Sequence, residues 1–131
     1  MTSLVLRTDF GDEGAWNTLQ AALDAAAEYP HATCVSDPRF AEAGVPALLL
    51  EEAAADENDR VIHIFLADAA TMKDPNHPLL AVDLSDDDPG RTFRVPVQWF
   101  AEVSANLSIG NMDFAEFADA VDGSGTYRGF E

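Results

Sequence analysis

The apolar run VIHIFLA at residues 61–67 is the feature of this sequence that most constrains its fold. Apolar residues fill all of its positions except that of His63, whereas a strand with one face in water alternates apolar and polar residues. A strand of this composition must be covered on both of its faces. The run therefore predicts the central strand of a sheet with other structure packed on both sides.

Strand-like and helix-like segments alternate before this run. Strands are predicted at residues 4–8 and 32–36, and a helix over residues 13–28 lies between them, with Asp12 as its N-cap. A second helix is predicted at residues 45–55. Strands separated by helices are typical of right-handed crossovers, so the first three strands are expected to run parallel.

The second half of the chain predicts a different pairing. Strands are expected at residues 79–84 and 92–95, and the turn between them is too short for a crossover, so they should be antiparallel. One helix should follow Pro96 and another should begin at Asp113. The predicted fold is α/β, a mixed sheet of about five strands with helices packed on its faces, in a two-layer or three-layer sandwich. Residues 1–131 are expected to form a single globular domain.

The charge of the chain excludes several classes of partner. The chain has 24 acidic and 7 basic residues, which gives a formal net charge of −17. A surface this negative repels phosphate backbones and anionic lipids, so neither nucleic acid nor membrane is expected as a partner. No apolar run approaches the ~20 residues of a membrane span, and the first residues lack a signal-peptide pattern, so a cytoplasmic location is expected. Basic proteins, cations and small molecules remain.

Acidic side chains follow three of the predicted strands. Asp9 and Asp12 come after the first strand, Asp68 after the central strand, and Asp83 near the end of the fourth. If these strands are parallel neighbours, the carboxylates meet at one edge of the sheet, where α/β proteins bind ligands. With Arg94 they form the predicted ligand or cation site, and such carboxylates favour Mg²⁺ or Ca²⁺. The alternative is that the aspartates cap helices and turns.

Arg7 and Arg94 are unusual because both fall within predicted strands of a chain that has few basic residues. An arginine on a covered face of a sheet needs an anionic partner. Asp83 or Asp113 is the expected partner, in an internal ion pair. The alternative is a ligand that carries a carboxylate or a phosphate, bound by the guanidinium fork.

Two further polar segments are candidates for function. Asn106, Asn111 and Asp113 surround the junction between the last two predicted helices, where they would either cap helix ends or line the rim of a pocket. The turn between the last two predicted strands is acidic. It is the candidate contact for a basic protein partner, through Asp86, Asp87 and Asp88.

Histidine and cysteine give little sign of catalysis. His63 is expected to be a hydrogen-bonded core residue, and His77 to be solvated in a loop between prolines. Cys34 is the only cysteine, and its apolar neighbours predict a small buried side chain rather than a nucleophile. The sequence has no pattern of a catalytic triad, a zinc site or a phosphate-binding glycine loop.

Three stretches of the chain resemble a known family. They are LRTDF at residues 6–10, PGRTFRV at residues 89–95, and residues 106–117 together with the closing YRGF at residues 127–130. These motifs are similar to those of an uncharacterised family, a domain of unknown function, whose members are small acidic single-domain proteins from high-GC bacteria. That family has no assigned activity, so the resemblance implies a free-standing domain and supplies no catalytic residues.

Two functions of different classes follow from these features. The first is a non-catalytic acidic interaction domain, similar in general character to the inhibitors and immunity proteins that neutralise basic nucleases. The alternative is a small enzyme or binding domain that holds a ligand or a divalent cation at the carboxylates of the strand ends. Both an enzymatic and a non-enzymatic role stay open at this point, as does the oligomeric state.

Overall fold

Five strands form one mixed sheet in the computed structural model, which describes residues 3–25, 32–41, 44, 46–47, 63–84, 90–108 and 112–127. The strands are β1 (Ser3–Arg7), β2 (Ala32–Val35), β3 (His63–Ala67), β4 (Leu79–Asp83) and β5 (Thr92–Val95). Their spatial order is β2-β1-β3-β4-β5. The α/β prediction is confirmed, and β3 lies at the centre of the sheet, as its apolar composition predicted.

The direction of the strands changes at β4. Strand β1 pairs in parallel with β2 and with β3, whereas β4 is antiparallel to both β3 and β5. The connection from β3 to β4 is short, so β4 runs straight back along β3. The end of the sheet at which β1, β2 and β3 finish is the carboxyl edge, and the opposite end is the amino edge.

Helices and one 3₁₀ turn (Pro38–Phe40) connect these strands. The helices described are α1 (Glu13–Ala25), α2 (Ala69–Lys73), α3 (Val97–Ser108) and α4 (Phe114–Ala118). Helix α3 starts one residue after Pro96, and α4 starts directly after Asp113, close to both predictions. The helix predicted at residues 45–55 falls largely outside the described residues.

Apolar side chains cover both faces of β3. Consecutive side chains of a strand point to opposite faces, so Phe65 joins one cluster while Ile64 and Leu66 join the other. The larger cluster contains buried side chains of α1, α3 and α4, among them Trp16, Leu19, Phe100, Val103 and Phe117. The smaller cluster contains Leu6 and Val82, with Phe40 packed against it. Polar side chains are therefore restricted to the two ends of β3.

Replacing Phe65 by alanine tests the central position of β3. Its side chain is 0% exposed and packs edge-on against Phe100, with 4.9 Å between ring centroids. Phe65→Ala should lower the free energy of unfolding by about 3–5 kcal/mol in urea titrations, because it removes apolar contacts and leaves a cavity. Val35→Ala, on the half-buried edge strand β2, is the control and should cost clearly less. Equal losses in the two variants would contradict this account.

Candidate functional site

A cleft opens at the carboxyl edge between β1 and β3. Strand β1 lies between β2 and β3, so the chain leaves β1 towards one side of the sheet and later returns on the other. Ligands of open α/β sheets bind at such a topological switch point. The cleft has a volume of about 530 Å³ and is lined by Thr8, Asp9, Phe10, Gly11, Ala41, Asp68 and Ala69.

The loop after β1 brings Asp9 into the cleft and uses Asp12 as a helix cap. Asp9 Oδ1 accepts a hydrogen bond from the backbone N–H of Gly11 at 2.9 Å, which closes a tight turn. Asp12 Oδ1 accepts from the N–H of Ala15 at 3.0 Å and caps α1, as predicted. Asp12 is exposed and does not line the cleft, so the structure brings Asp9 and Asp68 together without Asp12.

Asp68 follows β3 directly and connects the cleft to β5, the outermost strand on that side of the sheet. It is the N-cap of α2, where its Oδ1 accepts from the N–H of Thr71 at 3.2 Å. Both of its oxygens also accept from Arg94 on β5, Oδ1 from Nη1 and Oδ2 from Nη2, each at 2.8 Å. Arg94 Nη1 lies 3.3 Å from the carbonyl oxygen of Pro78. This fork geometry is among the strongest arrangements for an ion pair.

The protonation of Asp68 reflects these contacts. Partial burial raises the pKa of its carboxyl group. The hydrogen bonds and positive charge of Arg94, together with the hydrogen bonds from Thr71, lower this pKa by more than burial raises it. The net result is a pKa below the ordinary value of 3.8. Asp68 therefore stays ionised in the folded protein, and both of its oxygens are engaged by Arg94.

Arg7 is buried at the same edge, on the opposite face of the sheet. It is 2% exposed, and its guanidinium lies 4.4 Å from the ring centroid of Phe10 and 5.4 Å from that of Trp16. Its Nε donates to the carbonyl oxygen of Asp9 at 3.0 Å, and its Nη1 donates to Glu13 at 2.8 Å. Nη2 is buried and has no hydrogen-bond partner within the described part of the chain.

The expected partners of the two arginines were wrong, although both arginines form internal ion pairs. Arg7 pairs with Glu13 and Arg94 with Asp68, whereas Asp83 and Asp113 were the expected partners. Asp83 was also expected at the ligand edge. Because β4 is antiparallel to β3, the end of β4 lies at the amino edge. There Asp83 stands opposite His63 in the register of the two strands.

The amino edge carries a buried polar arrangement that the sequence pattern did not reveal. Ser3 Oγ lies 3.0 Å from His63 Nε2 and 2.7 Å from the hydroxyl oxygen of Ser104 on α3. Ser3, His63, Asp83 and Ser104 are called the polar row below. His63 forms the hydrogen bond that was predicted for it, but it lies at the half-buried start of β3 and not inside either apolar cluster. Ser3 and Ser104 are 101 positions apart, so no local motif links them.

His77 is buried, contrary to the expectation that it is solvated. It is 8% exposed, and its Nδ1 lies 3.1 Å from the carbonyl oxygen of Thr71. Its backbone has a positive φ of 45°, a conformation that turns the chain between α2 and β4. Cys34 is half-buried, and burial raises the pKa of its thiol, with Asp24 adding to the increase. A thiol of raised pKa is a poor nucleophile at neutral pH.

The remaining candidates have local structural contacts or lie outside the described residues. Asn106 Nδ2 donates to the carbonyl oxygen of Glu102 at 2.8 Å, one turn earlier on α3. Glu116 reaches back to the N–H of Asp113 at 3.5 Å, as in a capping box. The structure does not describe Asn111, nor the acidic turn of Asp86, Asp87 and Asp88.

The described ranges contain neither a metal-binding cluster nor a membrane-spanning helix. Within them, no group of three or more His, Cys, Asp or Glu side chains could hold a metal ion. The carboxylates of Asp9 and Asp68 share the cleft, but Arg94 binds both oxygens of Asp68. None of the described helices is long and apolar enough to cross a bilayer.

The fold and the cleft define a small mixed α/β domain with a switch point between β1 and β3. A family model described as a domain of unknown function, DUF6924, matches residues 2–130, so the chain belongs to that family. This match confirms the resemblance to a family of unknown function. No curated protein matches the chain.

Asp68→Asn tests the ion pair of the cleft. Asparagine still accepts the capping bond from Thr71 but removes the charge that Arg94 binds. We expect the variant to lose about 1.5–3 kcal/mol of unfolding free energy at neutral pH. Because the pKa of Asp68 is lowered by folding, this contribution is complete above pH 3.8 and is lost as the pH falls through the folded value.

Asp119→Asn is the matched control for this experiment. Asp119 pairs with Arg91 at the surface, and its side chain is 70% exposed. An exposed pair contributes about 0–1 kcal/mol, so this variant should change little. Urea unfolding of both variants from neutral to acid pH is the measurement. A difference between wild type and Asp68→Asn that persists unchanged at low pH would refute the assignment.

Proposed function

We propose that this protein is a non-catalytic acidic interaction domain whose partner is a basic protein. One observation carries the proposal: three of the described basic side chains are used in ion pairs with acids of the same chain. Arg7 pairs with Glu13, Arg94 with Asp68, and Arg91 with Asp119. Three of the seven basic side chains therefore already have acidic partners, in a chain whose net charge is −17.

The carboxyl edge is the part of the described surface that best fits such a partner. The topology places the loops after β1, β2 and β3 together there, and each of these loops carries acids. Asp12, Glu13 and Asp37 are exposed, while Asp9 and Asp68 line the cleft. A surface of this charge attracts a basic partner from a distance and increases its association rate.

The cleft provides a concave surface at this acidic edge, into which a side chain of the partner can fit. Its volume of about 530 Å³ lies within the range of roughly 300–1,000 Å³ that is usual for ligand pockets. Asp9 and Asp68 line it together with the apolar residues Phe10 and Ala41. A lysine or arginine of the partner suits this lining, because its stem is apolar and its end is cationic.

A second candidate is a binding site for a divalent cation or a small ligand in the same cleft. The shared position of Asp9 and Asp68 favours it. The engagement of Asp68 by Arg94 makes it the weaker candidate, since a hard cation prefers several available oxygens. A rise in melting temperature with millimolar Mg²⁺, Ca²⁺ or Mn²⁺ over a chelator control, lost in Asp9→Asn, would favour this candidate over the first.

Binding of a lysine- and arginine-rich peptide tests the proposed function. The triple variant Asp9→Asn, Asp12→Asn, Asp37→Asn removes three charges from the carboxyl edge, and asparagine preserves the turn and cap contacts. We expect its dissociation constant for a fluorescent basic peptide to rise at least about tenfold at low salt, which corresponds to ~1.4 kcal/mol. Fluorescence anisotropy is the measurement, with an acidic peptide as the negative probe.

A control variant separates a specific edge from bulk attraction. Asp113→Asn, Glu116→Gln, Asp122→Asn removes the same charge around α4 and preserves the acceptor oxygens of these exposed residues. Its affinity for the basic peptide should stay close to that of wild type. If both triple variants lose affinity equally, the attraction is only that of the net charge, and the proposed contact edge is wrong.

A further inference from the structure

The polar row connects three elements at the amino edge. Ser3 belongs to β1, His63 to β3, and Ser104 to α3. Ser3 Oγ lies 3.0 Å from His63 Nε2 and 2.7 Å from Ser104 Oγ, so the three side chains form one continuous series of hydrogen bonds. Asp83 extends the row on β4 as the register partner of His63. The row lies on the face of the sheet that carries Val5, Phe65 and Ala81, so apolar side chains border it.

The row contains serine, histidine and aspartate, but its burial does not suit nucleophilic catalysis. Ser3 is 3% exposed and Ser104 is 0% exposed. A nucleophilic oxygen must meet its substrate, and neither hydroxyl is accessible. The arrangement is better suited to holding β1 and α3 against the sheet centre.

The hydrogen bonds of the row depend on the protonation of one group. Each hydroxyl has a single proton to donate, so the direction of the bond between Ser3 and Ser104 is linked to the role of His63 Nε2. Neutral imidazole can accept from Ser3 through Nε2, whereas imidazolium can only donate. Histidine is the side chain whose charge normally changes between about pH 5 and 8.

We propose that the polar row is an acid-sensitive switch, which holds the start of β1 and helix α3 against the sheet while His63 is neutral and releases them when His63 gains a proton.

The groups that face His63 explain why the neutral form is preferred. Strand β1 and helix α3 present the hydroxyls of Ser3 and Ser104, and β3 itself presents the ring of Phe65, with 5.8 Å between the two ring centroids. Strand β4 presents Asp83, the charged group that acts on the imidazole. Burial lowers the pKa of His63 below its ordinary value of 6.5, and the charge of Asp83 opposes this effect without reversing it.

The direction of the pH dependence follows from the lowered pKa. Below pH 6.5 the unfolded chain binds a proton at this histidine more readily than the folded chain does. The stabilisation from the neutral row is therefore complete above that pH and is lost as the pH falls through the folded value. The loss should be local at first, in the elements that the row connects.

Amide hydrogen exchange and the NMR titration of imidazole test the proposal on the intact chain. Between about pH 7.5 and 5, the amides of β1 and α3 should lose protection beyond the intrinsic effect of pH on exchange. The midpoint of that loss should coincide with the titration of the His63 imidazole, below 6.5. A midpoint that differs from the imidazole titration, or an imidazole that titrates at or above 6.5, would overturn the proposal.

Two histidine variants provide the comparison. His63→Gln has an amide that still meets the hydroxyl of Ser3 but does not titrate, so the pH dependence in β1 and α3 should disappear. His77→Asn removes the other histidine that the structure describes, and asparagine tolerates the positive φ of that position, so the pH dependence should remain. A pH dependence unchanged in His63→Gln contradicts the switch. If His63→Gln does not fold, the wild-type comparison still tests the switch, because the midpoint of lost amide protection must coincide with the midpoint of the His63 titration.

Discussion

The burial of β3 on both faces is the constraint on which the rest of the structure depends. Ile64, Phe65 and Leu66 fill the middle of the strand and are buried in two apolar clusters. No polar group fits between them without a cost, so ionisable side chains lie at the ends of the strand. His63 begins β3 at the amino edge, and Asp68 follows it at the carboxyl edge. Parallel pairing with β1 then adds Ser3 to the first end and the loop of Asp9 to the second.

The internal ion pairs and the acidic surface have the same physical origin. A net charge of −17 on 131 residues is self-repulsive, and the folded state is more stable when its few cations lie close to several acids. Arg94 satisfies this at the end of β3, and Arg7 beside the N-terminus of α1. Each pair stabilises the fold locally and leaves the net charge unchanged. The negative exterior follows from the excess of acids over bases, and it is the feature that motivates the proposed basic partner.

Much of the sheet could be predicted from the sequence, because its signals are local. The apolar run predicted the central strand, and the short turn predicted the antiparallel pairing of β4 with β5. Local sequence patterns also predicted helix capping by Asp12 and Asp68 as the alternative to a cation site. Asp83 was misplaced because the direction of β4 depends on how the chain between α2 and β4 turns. That turn passes through His77, whose positive φ and buried ring have no sequence signature.

The contacts that could not be predicted depend on register. Arg94 reaches Asp68 because it is paired with Leu80, which is itself paired with Leu66 near the end of β3. A shift of one residue would turn Arg94 to the other face of the sheet. The contact between Ser3 and Ser104 likewise needs the position of α3 over the sheet, and serine is too common for a pattern to indicate it.

The two ends of β3 respond to acid in different ranges of pH. Aspartate carboxyls have an ordinary pKa of 3.8 and that of Asp68 is lower, whereas imidazole has an ordinary pKa of 6.5. On mild acidification the proposed switch at the polar row therefore responds while Asp68 stays ionised. A partner of the proposed kind, bound at the carboxyl edge, would stabilise only the folded domain, by about 2.7 kcal/mol at a concentration of 100 times its dissociation constant. In the proposed switch, proton uptake at His63 favours release of β1 and α3, so the proposed partner binding and protonation would have opposite effects on the stability of the fold. Because His63 begins β3 and Asp68 directly follows it, the proposed switch and the proposed binding edge lie at the two ends of one strand.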